Sequence, residues 1–159
     1  MANTAAIALV LSFLIGIVAG LRAMTAPAVV SWAARLGLLE LGGTFLGFLG
    51  HALTPWIFTA FALGELVTDQ LPTTPSRTVP ISFAARVIVG TLCGGAIGLG
   101  SGVLALGAAL GSVGAVLGTL GGRAVRARLA DLFHRDRPAA FVEDGIAIGS
   151  ALLIALLLP

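Results

Sequence analysis

From Val87 to Gly122 the chain runs for 36 residues without an Asp, Glu, Lys or Arg. As a single helix that run would extend roughly 54 Å at 1.5 Å per residue, against ~30 Å of hydrocarbon in a bilayer. It must therefore fold as two crossings. The cluster Gly98-Leu99-Gly100-Ser101-Gly102 is the natural turn between them, which predicts spans near 84–100 and 103–121.

Composition says the same of the whole molecule. Of 159 residues, 10 % are charged and 58 % hydrophobic, where a soluble domain carries about a quarter charged residues. With a mean hydropathy of +1.08, the charges are too few to cover a wetted surface, so much of the exterior faces hydrocarbon. The net charge of +2 comes without any Arg-aromatic surface pattern of the kind that grips phosphates, which argues against a nucleic-acid partner. The one cysteine, Cys93, sits in the apolar run Val89–Gly94, and a single thiol gives neither a disulfide framework nor a cysteine metal site. It reads as a small buried helix residue.

Before the first arginine, Met1 to Leu21 form an uncharged first span. No basic region precedes it and no small-residue cleavage site followed by a soluble domain comes after it, so it reads as a retained helix. Met24 to Leu38 is too short to cross comfortably. Pro27 suits a first helical turn, and Trp32 and Arg35 suit an interface. This segment is expected to be re-entrant or interfacial, with a sixth span as the competing reading. Leu41 to Gly64 is again free of Asp, Glu, Lys and Arg and predicts a second span bent near Pro55. Three prolines between Gln70 and Pro80 make a stiff loop. Ala124 to Arg137 alternates charges with Leu129, Leu132 and Phe133, as an amphipathic surface helix does. Phe141 to Leu158 is the last span, with Glu143 and Asp144 in its first turn.

The expected fold is all-α: a polytopic transmembrane helix bundle of about five spans plus short re-entrant or interfacial helices, in one integral membrane domain, 1–159. In five spans, Arg77, Arg86, Arg123, Arg126, Arg128, Arg135 and Arg137 share one side, against Arg22 and Arg35 on the other. Cytoplasmic loops are enriched in arginine. That predicts an inner-membrane protein with its N-terminus in the cytoplasm and its C-terminus outside.

Gly20-Leu21-Arg22-Ala23 ends the first span and Gly121-Gly122-Arg123-Ala124 the fourth. Each is followed by a short amphipathic segment and then by an acid-bearing span. The shared order suggests a duplication, with unit one about 4–71, a linking span about 84–100 and unit two about 103–158. An odd number of crossings between the units would make it an inverted-topology repeat, a plan that recurs among transporters. The plainer reading is that small-residue-arginine is how membrane helices end.

Ionisable groups inside spans normally face a bundle interior or an aqueous cavity. Glu65 and Asp69 are four residues apart and share a helical face. Glu143 and Asp144 point about 100° apart, so one of them at most faces the same cavity, and Glu143 is favoured by the repeat. Arg22 and Arg123 are candidate partners for these acids. The candidate substrate- or ion-binding set is thus Glu65, Asp69, Glu143, Asp144, Arg22 and Arg123. The blander reading makes the acids helix-end anchors and lets the arginines snorkel to head groups. Four-residue glycine pairs such as Gly90/Gly94, Gly107/Gly111 and Gly114/Gly118 predict close helix packing, within the chain or across a homodimer.

No Gly-x-Ser-x-Gly, His-Glu-x-x-His or phosphate-loop motif occurs, so no catalytic residue and no cofactor are expected, and a metal is left open. The stretches 20–27, 65–77 and 142–149 resemble the signature segments of a family of small bacterial integral membrane proteins classed as a domain of unknown function. The resemblance implies a membrane location and supplies no activity. The expected function is a small membrane transporter or channel, coupled to a proton or cation through intramembrane carboxylates, with the lipid bilayer, a small ion or solute and a second copy as partners. The alternative is a membrane-embedded scaffold or lipid-interacting protein; an intramembrane enzyme ranks third.

Overall fold

Glycine and proline set the helix ends. The computed structural model describes residues 2–69, 78–134 and 136–158, and among them the chain forms six α-helices and no strand. α1 spans Ala2–Leu21, α2 Thr25–Arg35, α3 Thr54–Thr68, α4 Pro80–Gly100, α5 Leu104–Phe133 and α6 Asp136–Leu156. Pro55 and Pro80 occupy the first turns of α3 and α4, where a missing N–H leaves no bond unmade. α2 closes on Gly37 at φ 77°, with the Leu38 N–H donating to the Ala33 carbonyl at 2.9 Å, a termination that needs the left-handed conformation. Gly102, at φ 73°, makes the expected turn between α4 and α5. Four segments are long and apolar enough to cross a membrane: Asn3–Leu21, Pro80–Gly100, Leu104–Phe133 and Pro138–Leu156.

Three segments depart from the sequence reading. The second span expected over 41–64 divides into a single turn at Gly47–Gly50 and α3, because Gly42, Gly43, Gly47 and Gly50 interrupt the first half and Pro55 starts the helix instead of bending it. The separate surface helix expected over 124–137 is the continuation of α5 to Phe133, since neither Gly nor Pro breaks the chain after Gly122. α6 begins at Asp136, so Glu143 and Asp144 lie about two turns inside it and not at its start. The Pro-rich loop over 70–77, with Arg77, lies outside the described residues, as does Arg135.

α1, α4 and α5 form the core, and glycine is what lets them meet. A methyl group on Gly94 would fall 2.5 Å from the Gly107 carbonyl oxygen and 2.8 Å from the Gly111 Cα. Gly16 meets Gly111 backbone to backbone, and Gly114 and Gly118 meet the backbone of α1 around Ile17. The Ser12 hydroxyl donates to the Gly94 carbonyl at 2.9 Å, closing the three-helix seam. The glycine pairs of α4 and α5 are thus used within the chain.

These contacts also fix directions. Gly16 against Gly111 and Gly20 against Gly118 make α1 and α5 parallel. Ser12 at Gly94, with Gly20 at Arg86, makes α4 antiparallel to α1. α2 is buried along most of its length and runs back into the bundle, not along its surface, until Leu39 touches Gly100. α3 returns, bringing Glu65 to Met24. Because α2 adds a reversal, the leading helices of the two expected repeat units run the same way, opposite to an inverted arrangement. The start of α1 and the end of α6 consequently fall at one end of the bundle, where the sequence reading had them on opposite sides. At the other end stand Arg22, Arg86, Arg123, Arg126 and Arg128. Near the arginine-poor end Trp32 and Trp56 pack edge to face, centroids 5.0 Å apart, and Trp32 Nε1 donates to the Thr59 hydroxyl at 3.0 Å.

Gly111→Ala should lower the thermal midpoint in detergent by overpacking, about 1–3 kcal/mol, because its Cβ would meet the Gly90 carbonyl and the Gly94 Cα. Gly145→Ala and Gly149→Ala, which meet nothing within 4 Å, should leave the midpoint unchanged or slightly raised. Circular dichroism melts of the three variants make the comparison.

Candidate functional site

α1 stops at Leu21 and the next side chain, Arg22, turns into the protein with 0 % exposure. A guanidinium is charged at every physiological pH, so burial at this depth demands counter-charge. It comes from two helices far apart in sequence. Arg22 Nη1 pairs with the Asp69 carboxylate at the end of α3, and Nη2 pairs with the Asp144 carboxylate on α6. Both acids retain slight exposure, 13 % and 11 %.

The turn between α1 and α2 leaves the usual orphan groups of helix ends, and charged side chains satisfy them. Arg86 Nη1 donates to the carbonyls of Gly20 and Leu21, each at 3.0 Å. Glu65 accepts from the backbone N–H groups of Ala23 and Met24, each at 2.8 Å. Arg86 Nη2 also donates to Glu65 at 3.3 Å, tying the two caps together. Each charge suits the dipole it faces, cation at the carbonyl end of α1 and anion at the amide end of α2.

Of the six residues expected at the site, the structure gathers Arg22, Glu65, Asp69 and Asp144. Glu143 does not join them: it pairs with Arg126 of α5 at 3.6 Å. Arg123 reaches Thr78 at 3.4 Å on the surface. The preference for Glu143 over Asp144 is reversed because α6 turns Asp144, on the buried stripe of Ala140, Ala147, Ala151 and Ile154, toward Arg22, and Glu143, buried as well, toward Arg126 of α5. That small-residue stripe was a usable signal. Arg86 was missed as a site residue because the third span was begun near residue 84, which left Arg86 at its very edge, counted among the arginines of the cytoplasmic side. Starting that helix at Pro80 puts Arg86 nearly two turns inside.

A cleft of about 510 Å³ opens beside the cluster. Gly64, Glu65 and Asp69 of α3 form one wall, and Ser82, Ala85 and Arg86 of α4 the other. Asp69 thus stands between the buried Arg22 and the opening. Among the described residues no three of His, Cys, Asp or Glu gather closely enough to share a metal ion. Comparison with protein-family models, with curated proteins and with solved structures gave no match.

Removing one partner of a buried pair is worse than removing the whole set, because it strands a charge. Arg22→Met should destabilise the fold by about 3–5 kcal/mol, and the triple variant Arg22→Met/Asp69→Asn/Asp144→Asn should recover much of that loss. Chemical unfolding in detergent tests the order; a triple variant weaker than the single one would refute it.

Proposed function

We propose that the chain is a small transporter or channel of the bacterial inner membrane that passes a proton or small cation along the cleft between α3 and α4. Asp69 and Asp144 are the exchanging carboxylates, Glu65 lines the approach, and Arg22 is the fixed internal counter-charge. The observation that carries this reading is a fully buried arginine shared by two carboxylates from separate helices, beside an open cleft. Intramembrane ionisable groups in such surroundings mark ion or substrate paths. A proton or cation arriving at Asp69 weakens its hold on Arg22, so the attachment of α3 to the core depends on occupancy. α3 is suited to respond, since it packs on α2 and the Gly47–Gly50 turn and faces α4 across the cleft.

Arginine distribution supports an orientation with the Arg22 end in the cytoplasm. With the helix directions above, α1 then begins on the outer side, reversing the orientation expected from five spans. Cysteine labelling with an impermeant maleimide checks this. Gly42→Cys should react in intact spheroplasts, and Arg128→Cys only after lysis. Cys93, fully buried, contributes no background.

Flux is measured in liposomes holding the purified protein, with proton, sodium and potassium gradients in turn. Asp69→Asn and Glu65→Gln should each reduce flux at least tenfold, about 1.4 kcal/mol in barrier terms; the melting midpoint should stay close to the parent's in Glu65→Gln and fall in Asp69→Asn, which leaves Arg22 short of a counter-charge. Full flux in both variants overturns the reading. The scaffold reading draws on the caps that Glu65 and Arg86 provide. It expects no flux in the parent protein, and a lowered midpoint for Glu65→Gln.

A further inference from the structure

On the far side of α1 from the cleft, a second hollow of about 270 Å³ lies among α1, α5 and α6. Its wall is almost wholly apolar. On α5 it runs from Leu117 past Gly118, Gly121 and Gly122 to Leu129, a rise of roughly 18 Å. A smaller hollow of about 170 Å³ between α1 and α6 shares Ile17, Leu21 and Ile146 with it, so the apolar channel continues along α6 toward Leu157. The glycines leave room where side chains would otherwise fill the angle between the helices; a Cβ on Gly121 would meet nothing within 4 Å. Only Arg126 and Glu143, paired at 3.6 Å, bring charge to its lining. They belong to the arginine-rich end, and Arg123 stands one turn away on α5.

We propose that this groove is a lipid site: one acyl chain of an anionic phospholipid lies along Gly118, Gly121 and Gly122, and its phosphate is met by Arg126. The shape fits a single flexible chain entering from the bilayer, and the headgroup end carries the matching charge. A juxtamembrane arginine attracts anionic headgroups, and Arg126 shares its charge between Glu143 and the phosphate. A zwitterionic headgroup offers Arg126 the same phosphate but sets a cation beside it, which weakens the attraction, so the groove selects by net charge at one end and by apolar fit along its length. The site is independent of the α3–α4 cleft and holds whatever moves through that cleft.

The test places the full chain in nanodiscs containing phosphatidylcholine and phosphatidylglycerol and counts retained lipid by native mass spectrometry. The parent protein should keep phosphatidylglycerol about fivefold over phosphatidylcholine, the discrimination that one arginine near an anionic surface supplies. Gly121→Leu, whose Cβ meets nothing within 4 Å, projects a side chain into the groove and should lose retained lipid of both kinds. Arg126→Gln/Glu143→Gln removes both charges from the lining; it should keep the lipid and lose the preference. Equal retention of the two lipids by the parent protein overturns the proposal, as does undiminished retention by Gly121→Leu with an unchanged melting midpoint. The comparison in the parent protein stands without either variant.

Discussion

An arginine that cannot shed its proton has been taken out of water at the end of the first helix, and the rest of the bundle is arranged around that fact. Arg22 needs two anions, and neither α4 nor α5 supplies one to it. Asp69 arrives on a short helix that would otherwise have little reason to approach the core, and Asp144 arrives on the last helix of the chain. One buried charge therefore fastens two peripheral elements to α1. In a bilayer, where apolar surfaces gain little by leaving lipid for each other, a charge pair and close backbone packing are among the few forces that specify which helix goes where.

The two kinds of glue divide the molecule. Backbone-to-backbone contact at Gly94, Gly107 and Gly111 joins α1, α4 and α5 with no side chains between them, an arrangement that has one geometry and tolerates little change. α2 and α3 are joined to that core through side chains: a tryptophan pair at one end, carboxylates and guanidinia at the other. Side-chain contacts of this sort can break and re-form, while a glycine seam cannot slide without clashing. The ion-pair cluster lies where the rigid and adaptable parts meet.

How much of this was legible in the sequence depends on the kind of signal. Uncharged runs gave α1 and α4 almost to their ends and the first part of α5, and the Gly98–Gly102 cluster gave the hairpin, because hydropathy and turn chemistry act locally. Glu65, Asp69 and Arg22 were legible as site candidates because charge in an apolar chain is rare. The choice between Glu143 and Asp144 was not, since it turns on which neighbouring helix each of the two buried acids faces, and the small-residue stripe through Ala147 and Ala151 was outweighed by an apparent repeat. The direction of α5 relative to α1 was misread for a related reason. Whether α2 lies on the surface or enters the bundle changes the parity of every later helix, and eleven residues of mixed polarity do not reveal which.

The parallel seam between α1 and α5 has a bearing on how the chain assembles. Thr119 reaches Gly20 across 99 positions of sequence, so the glycine face of the first helix to emerge from the ribosome waits uncovered until the fifth is made. During that interval Arg22 lacks Asp144, the acid that α6 supplies. The finished fold thus rests on contacts between the first helix and the last two, at Thr119 and at Asp144.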